Sequence, residues 1–243
     1  MIGLIGGTGL SQLEGLNISE QRWLESPFGD PSSALSFGEL NGVPLVFLAR
    51  HGDPHRIAPH LINYRANLSV LKQAGVTDII AVNSVGGIHS SLGPAHVGIP
   101  DQIIDYTYGR DHTIYDGVHN EAVDHIDFTA PYNPLIRHKL IEAAKVADVS
   151  VLGNGTYGAT QGPRLETAAE INKYKTDGCD MVGMTGMPEA ALAKEFGLNY
   201  ACIALSVNWA AGLGDAIITM DDIHKAIEQG MEKVYRILSA YLS

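Results

Sequence analysis

Apolar runs of strand length alternate along this chain with segments of helical periodicity, and this alternation restricts the possible folds. The pattern predicts strands at residues 2–5, 43–48, 78–82, 102–104, 149–151 and 200–205. It predicts helices at residues 64–73, 134–146, 166–176, 188–196 and 220–242. Such alternation is typical of α/β proteins, in which helices cover both faces of a largely parallel, buried sheet.

Glycines and the absence of repeats define the organisation of the chain. Gly75, Gly178 and Gly197 follow helical segments directly, where glycine commonly ends a helix. Residues 106–134 are polar, rich in His, Asp and Tyr, and irregular in pattern. We interpret them as an excursion that packs on another part of the protein or on a neighbouring subunit. No internal repeat interrupts the sequence, so we expect one domain over residues 1–243.

Composition narrows the classes of partner. The formal net charge of -11 argues against a nucleic-acid surface, because phosphate backbones are bound by clustered Lys and Arg. The two cysteines, Cys179 and Cys202, lie beside apolar residues, which favours free thiols in a reducing cytoplasm over a disulfide. No apolar run reaches the roughly 18 residues of a membrane span, so we expect no membrane contact.

The sequence GGTG at residues 6–9 follows the first predicted strand. Its backbone amides and the Thr8 hydroxyl could bind an anion, although glycine-rich turns without a ligand are equally common. A dinucleotide-binding fingerprint is disfavoured because Gln12 stands where that motif needs glycine.

Arg50 and His51 follow the strand predicted at residues 43–48. An arginine at a strand end is suited to a bidentate contact with phosphate. The nearby His55 and His60 raise the alternative of a metal site, but the glycine and prolines between them prevent the helix that would align them. We therefore expect no metal.

Three further segments place polar groups at predicted strand ends. Residues 83–87 read NSVGG and bring Ser84 next to two glycines, which allow close approach of backbone to a ligand. Asn208 follows the last predicted strand, and its amide needs several hydrogen-bond partners from a ligand or from the protein. Residues 159–189 contain GPRLE, where Glu166 opens a predicted helix, and GMT, which contains Met184 and Thr185. Taken alone, Glu166 could equally be a first-turn acid that complements the helix dipole.

Each motif alone is common, but their order is specific. The series GGTG, RH, NSVGG, GPRxE, GMTxxPE and SxN, between residues 6 and 208, resembles that of the trimeric purine nucleoside phosphorylase and methylthioadenosine phosphorylase family. The resemblance implies an α/β, single-domain phosphorylase/hydrolase-like fold with a central mixed sheet flanked by helices. It also implies a homotrimer that performs reversible phosphorolysis of a purine nucleoside, with inorganic phosphate as co-substrate and no metal or other cofactor.

The resemblance assigns roles residue by residue. Met184 is expected against the ribose, and His125 is expected to reach into the site of a neighbouring subunit. The residues implied in phosphate binding are Thr8, Arg50, His51, Ser84 and Thr185.

Two positions distinguish the branches of the family by the base. Methylthioadenosine phosphorylases carry an Asp-x-Asp pair where this chain has Asn208 and Ala210, and a serine where it has Glu166. Glu166 and Asn208 instead resemble the pair of the 6-oxopurine phosphorylases. The chemistry agrees, because a carboxylate accepts from N1–H of hypoxanthine while an amide donates to O6. We expect Asn208, Glu166 and Arg50 to be the catalytic residues.

The 5' end of the substrate is predicted from Met220, which heads the last helix. By this resemblance, the matching residue of the nucleoside phosphorylases is a histidine that contacts the 5'-hydroxyl. The methylthio enzymes have an apolar residue there. A methionine favours a methylthio group. The combination predicts methylthioinosine as substrate, with inosine or guanosine and methylthioadenosine as alternatives. A hydrolase on the same fold and a nucleoside-binding protein without activity are further alternatives.

Overall fold

The computed structural model describes residues 1–7, 10, 15–118, 122–214 and 219–243. Within them an 11-stranded sheet is formed by β1 (Ile2–Gly6), β2 (Leu16–Arg22), β3 (Leu35–Leu40), β4 (Val43–Ala49), β5 (Asp78–Gly87), β6 (Val97–Gly98), β7 (Gln102–Asp105), β8 (Val151–Leu152), β9 (Thr156–Ala159), β10 (Met181–Gly183) and β11 (Asn199–Trp209). The helices of the same residues are α1 (Tyr64–Gln73), α2 (Pro134–Val146), α3 (Ala168–Thr176), α4 (Gly186–Glu195) and α5 (Met220–Tyr241).

The sheet is mixed, with a parallel centre. Strands β4, β1, β5 and β11 run parallel to one another. Antiparallel pairing joins β2 to β3 and β3 to β4, and also β10 to β5 and β6 to β11. Parallel strands present their carboxyl ends at the same edge, where α/β sheets bind ligands. The motifs at the carboxyl ends of β4, β5 and β11 therefore meet at one place.

Helices cover both faces of the sheet, as the sequence predicts. Successive residues of a strand point to opposite faces, and on β5 Ile79 joins the core under α1 and α4 while Ile80 joins the core under α2 and α5. The long helix α5 packs along β11 and against α2. In the part of the chain that the structure describes, no helix is both long and apolar enough to cross a membrane.

The helix ends predicted from glycines are confirmed, but the sequence pattern did not predict several of the strands. Gly75, Gly178 and Gly197 all have positive φ just beyond α1, α3 and α4. The hairpin β2–β3 was not predicted, because β2 is largely exposed and lacks an apolar run. Strand β8 begins at Val151, so the strand predicted at residues 149–151 lies too early.

The helix predicted at residue 166 begins later, at Ala168. Thr167 is its N-cap, and its hydroxyl and the Glu170 side chain form a capping box. The first-turn acid of α3 is therefore Glu170, and the alternative interpretation of Glu166 as that acid is wrong. Glu166 belongs to the loop between β9 and α3, which leaves its carboxylate available to another partner.

The NSVGG segment lies inside β5 rather than after it, and its second glycine is required by packing. A Cβ on Gly87 would overlap the backbone carbonyl oxygen of Leu92 and lie 2.8 Å from its carbonyl carbon. Gly87 thus permits the approach of the protein's own backbone. Gly86 lies half-buried beside Asn208.

Replacement of Gly87 by alanine should destabilise the fold, because the backbone of Leu92 has to move. Overpacking of this kind costs about 1–3 kcal/mol in the free energy of unfolding. Denaturant unfolding checks this, with Gly153→Ala as the control, since its added Cβ would lie 3.4 Å from Ile141, an ordinary contact. Equal stability of the two variants would contradict the packing argument.

Candidate active site

A cavity of about 580 Å³ opens at the carboxyl edge of the parallel strands. It collects residues that are far apart in the sequence, and eight of the ten expected site residues line it: Arg50, His51, Ser84, Glu166, Met184, Thr185, Asn208 and Met220. Thr8 lies outside the described residues. His125 is exposed and does not line the cavity of its own chain.

Arg50 forms a buried ion pair at the floor of this cavity. Its Nε and Nη2 donate to the two carboxylate oxygens of Glu189 at 2.7 and 2.8 Å, and the two residues are 2% and 1% exposed. Nη2 also donates to Oδ1 of Asn83 at 2.7 Å, and Nη1 donates to the Val82 carbonyl at 3.2 Å. Glu189 accepts a further hydrogen bond from the Tyr200 hydroxyl at 2.8 Å.

This geometry corrects the expectation that Arg50 makes a bidentate contact with phosphate. The planar fork of the guanidinium is occupied by Glu189, a residue on α4 that is 139 positions away in sequence. One N–H of Nη1 has no acceptor among the described residues. Burial lowers the pKa of Arg50, but the carboxylate of Glu189 outweighs it and raises that pKa further above its usual value, so the group stays charged.

His51 is held as a neutral imidazole with a defined tautomer. Its Nδ1 lies 2.8 Å from the Ile57 carbonyl, which can only accept, so Nδ1 carries the proton and Nε2 is an acceptor. The ring stacks on His55 with 4.3 Å between centroids. Burial, followed by the charge of Arg50, lowers the pKa of His51 to about 4. A neutral His51 at the cavity can therefore accept from a protonated phosphate oxygen.

Asn208 and Glu166 line the same cavity. Strand β11 carries a register shift between Ser206 and Asn208, and bulges of this kind redirect side chains near sites. The Asn208 amide donates to the Trp209 carbonyl at 2.6 Å. Glu166 accepts a hydrogen bond from the Thr160 hydroxyl at 2.7 Å. An amide and a carboxylate together can recognise a ring that has both an acceptor and a donor.

One face of α5 forms a largely apolar wall. Met220, Ile223, Ile227 and Met231 line the cavity at helical spacing, and His224 lies among them. Thr219 caps the helix by accepting from the Asp222 amide. Sequence reasoning found Met220 and missed the other four, although their spacing of three and four residues is the signal of one helix face.

Arg110 is a further residue that sequence reasoning missed. It is buried, and its guanidinium donates to the Met184 and Met187 carbonyls on one side and to the Thr160 and Gln161 carbonyls on the other. These contacts tie the end of β9 to the segment that follows β10. They also show that the start of the polar excursion, at Arg110, packs on its own chain. The signal that could have pointed to Arg110 is that it is the one arginine in the sequence of residues 106–134.

No group of three or more His, Cys, Asp or Glu side chains that could hold a metal comes together in the described ranges. The polar groups that line the cavity are instead hydroxyl, amide, imidazole, guanidinium and carboxylate groups. Such a mixture of donors and acceptors suits an oxyanion and a heterocyclic base.

Comparison with known proteins identifies the family. The sequence profile described as "Phosphorylase superfamily" matches residues 1–243. The chain belongs to the phosphorylase superfamily. It is 52% identical over 241 residues to a probable S-methyl-5'-thioinosine phosphorylase of Pseudomonas syringae pv. tomato, covering 99% of this chain and 97% of that protein.

Two further similar proteins have names that give different substrates. The 6-oxopurine nucleoside phosphorylase of Pyrococcus furiosus is 40% identical, with 98% of this chain and 91% of that protein covered. The structure of methylthioadenosine phosphorylase from Schistosoma mansoni in complex with adenine superposes with a TM-score of 0.94 at 31% identity, covering 99% of this chain and 90% of that chain. The mixed α/β fold is thus that of a phosphorylase.

The lowered pKa of His51 makes the stability of this phosphorylase depend on pH. In the unfolded chain His51 is protonated below its ordinary pKa of 6.5, whereas in the folded chain it is protonated only below about pH 4. The free energy of unfolding should therefore fall as the pH falls through this window, by roughly 2–3 kcal/mol from this residue.

Urea unfolding at a series of pH values measures this effect. His51→Gln should flatten the dependence between pH 6.5 and 4, whereas His138→Gln, in an exposed residue of α2, should leave it unchanged. If the free energy of unfolding falls as steeply with pH in His51→Gln as in the wild type, the pH dependence does not come from His51.

Proposed function

We propose that this phosphorylase converts S-methyl-5'-thioinosine and phosphate to hypoxanthine and 5-methylthioribose 1-phosphate. The observation that carries the proposal is the pairing, in one cavity, of Glu166 and Asn208 with the apolar face of α5. The name of the Pseudomonas syringae relative, a probable S-methyl-5'-thioinosine phosphorylase, supports the same substrate. No metal or organic cofactor is required by this chemistry.

Base recognition rests on donor and acceptor matching. The Asn208 amide nitrogen has two hydrogens, and one of them donates to the Trp209 carbonyl. The second is available to O6, and Oδ1 can accept from a protonated N7. Glu166 accepts from N1–H. Adenine presents an acceptor at N1 and a donor at position 6, so it leaves both protein groups unpaired, which can cost about 10⁴-fold in efficiency.

The proposed reaction is dissociative and uses no covalent intermediate. Positive charge grows on the ribosyl ring as the glycosidic bond lengthens, and phosphate attacks C1' while the N9–C1' electron pair stays with hypoxanthine. We assign phosphate binding to His51, Ser84 and Thr185, which line the cavity, with Arg50 supplying positive charge and one N–H. The family resemblance adds Thr8 to this set. Met184 packs against the ribose. Catalysis then consists mainly of positioning and electrostatic stabilisation of the leaving base.

Inosine phosphorolysis is the second candidate, because His224 lies on the same helix face as Met220. An imidazole can donate to a 5'-hydroxyl, which a methionine cannot. The 6-oxopurine nucleoside phosphorylase of Pyrococcus furiosus, at 40% identity, also belongs to this chain's relatives. We favour the methylthio substrate because four of the five side chains on this face are apolar.

Turnover of methylthioinosine should require phosphate, since the polar set opposite the base offers hydroxyl and cationic groups to an oxyanion. We expect 5-methylthioribose 1-phosphate as product, with negligible turnover in phosphate-free buffer. Product analysis by mass spectrometry with and without phosphate tests this. Undiminished release of hypoxanthine and free methylthioribose without phosphate would identify a hydrolase.

Asn208→Asp should impair 6-oxopurine turnover, because a carboxylate cannot donate to O6 and would face the Trp209 carbonyl oxygen that Asn208 now contacts. We expect kcat/KM for methylthioinosine to fall by about 10²–10³-fold. The ratio of kcat/KM for methylthioinosine to that for methylthioadenosine should also decrease. Asn208→Ala is the matched control, since it removes the amide without adding a carboxylate. A wild-type enzyme that prefers methylthioadenosine would refute the base assignment.

We further propose a homotrimer in which His125 completes the site of a neighbour. Leu165 and Met220 line the cavity yet are 44% and 62% exposed, so the chain alone leaves this side open. His125 is exposed and does not line this cavity in its own chain. In a cyclic trimer one interface repeats and closes, so each subunit can supply His125 to the next.

Mixed trimers test this arrangement. Asn208→Ala and His125→Ala should each reduce activity, and co-expression of the two chains should restore part of it, because some sites then combine an intact Asn208 with an intact neighbouring His125. Light scattering should give the mass of three chains. A fully active monomer, or no complementation between two correctly assembled variants, would contradict the shared site.

A cytoplasmic location is proposed from the cysteines. Cys179 and Cys202 are free and buried. Burial raises the pKa of both thiols, so they are poor nucleophiles and behave as small apolar residues. Free thiols of this kind are typical of reducing compartments.

A further inference from the structure

Thr160 holds the carboxylate of Glu166 from the end of β9. Its hydroxyl lies 2.7 Å from Glu166 Oε1 and 3.4 Å from the Gly183 carbonyl oxygen. A hydroxyl has one hydrogen to donate, and the shorter distance and the negative charge both favour Glu166. Thr160 is 4% exposed, so water competes little for this contact.

The Thr160 hydroxyl is itself rigidly placed. The backbone N–H of Thr160 donates to the Gly183 carbonyl at 2.8 Å. Its carbonyl accepts from Nη2 of Arg110 at 3.2 Å. The side chain is β-branched, which restricts its χ1 rotamers. The donor is therefore fixed to β10 and to the Arg110 contacts before any ligand binds.

Glu166 has little else to hold it. The start of α3 is capped by Thr167 and Glu170, and Arg164 pairs with Glu170 at 2.7 Å rather than with Glu166. Within the described residues, Oε1 bonds to Thr160 and Oε2 has no hydrogen-bond partner. Without Thr160 the carboxylate would rotate about its side-chain bonds in a half-buried loop.

We propose that Thr160 is a positioning residue for base recognition, which occupies Oε1 of Glu166 so that Oε2 is presented to N1–H of a 6-oxopurine. The inference rests on the proposed function and adds to it the group that sets the direction of the acceptor. A fixed acceptor also strengthens discrimination, because Glu166 cannot turn away from the N1 lone pair of a 6-aminopurine.

Thr160→Val, which has nearly the same shape, removes the donor. We expect kcat/KM for methylthioinosine to fall by about tenfold or more, as for loss of a hydrogen bond to a charged group. The loss should appear mainly in KM, because N1–H is present in both the bound nucleoside and the leaving base. The ratio of efficiencies on methylthioinosine and methylthioadenosine should narrow, and Thr160→Ser should restore most of it.

A double-mutant cycle with Glu166→Gln separates positioning from a structural role. If Thr160 acts through Glu166, Thr160→Val should change the efficiency on methylthioinosine less than about threefold in the Glu166→Gln background. The KM for phosphate should stay close to wild type, since the Thr160 hydroxyl contacts Glu166 and the Gly183 carbonyl rather than a side chain assigned to phosphate. Thr160→Ala provides a second variant without the hydroxyl if the valine chain folds poorly.

Two outcomes would overturn the inference. The first is an unchanged substrate ratio in a folded Thr160→Val or Thr160→Ala enzyme. The second is an equal loss on all substrates that adds fully to the loss from Glu166→Gln. Failure of the proposed function looks different, because the wild-type enzyme would then show no phosphate-dependent turnover of methylthioinosine.

Discussion

The buried ion pair between Arg50 and Glu189 is the interaction on which the site depends. It connects the end of β4 to α4, and through Asn83 and Tyr200 it also reaches β5 and β11. Removal of one partner would leave an unpaired charge in the core, which typically costs about 3–5 kcal/mol. The pair thus sets the relative positions of the strand ends at the floor of the cavity, where we propose that phosphate binds.

We propose that the cavity recognises the two ends of the substrate by different interactions. At the base end, Glu166 and Asn208 are polar groups that a wrong base leaves unpaired, and such sites discriminate strongly. At the other end, the apolar side chains of α5 exclude a hydroxyl less sharply, since one methyl-sized group is worth about 1–3 kcal/mol. Base selectivity should therefore exceed selectivity at the 5' position, where His224 adds a polar group to an apolar wall.

The sequence predicts what is local or periodic. Glycine caps at Gly75 and Gly197 and the strand ends that contain Ser84 and Asn208 all follow from short-range patterns, and the cavity brings the last two together. Such patterns do not show which side chains far apart in the sequence contact each other. The partner of Arg50 is 139 positions away, so an arginine suited to phosphate turned out to hold a carboxylate.

The central claim is that one site selects both the 6-oxopurine and the methylthio group. Incubation of the enzyme with phosphate and equal, limiting concentrations of methylthioinosine, methylthioadenosine, inosine and adenosine measures both choices together, because competing substrates are consumed in proportion to kcat/KM. Chromatography of the four nucleosides over time should show methylthioinosine consumed first, inosine next and the adenine nucleosides last. Faster consumption of methylthioadenosine than of methylthioinosine, or equal consumption of inosine and methylthioinosine, would contradict the account.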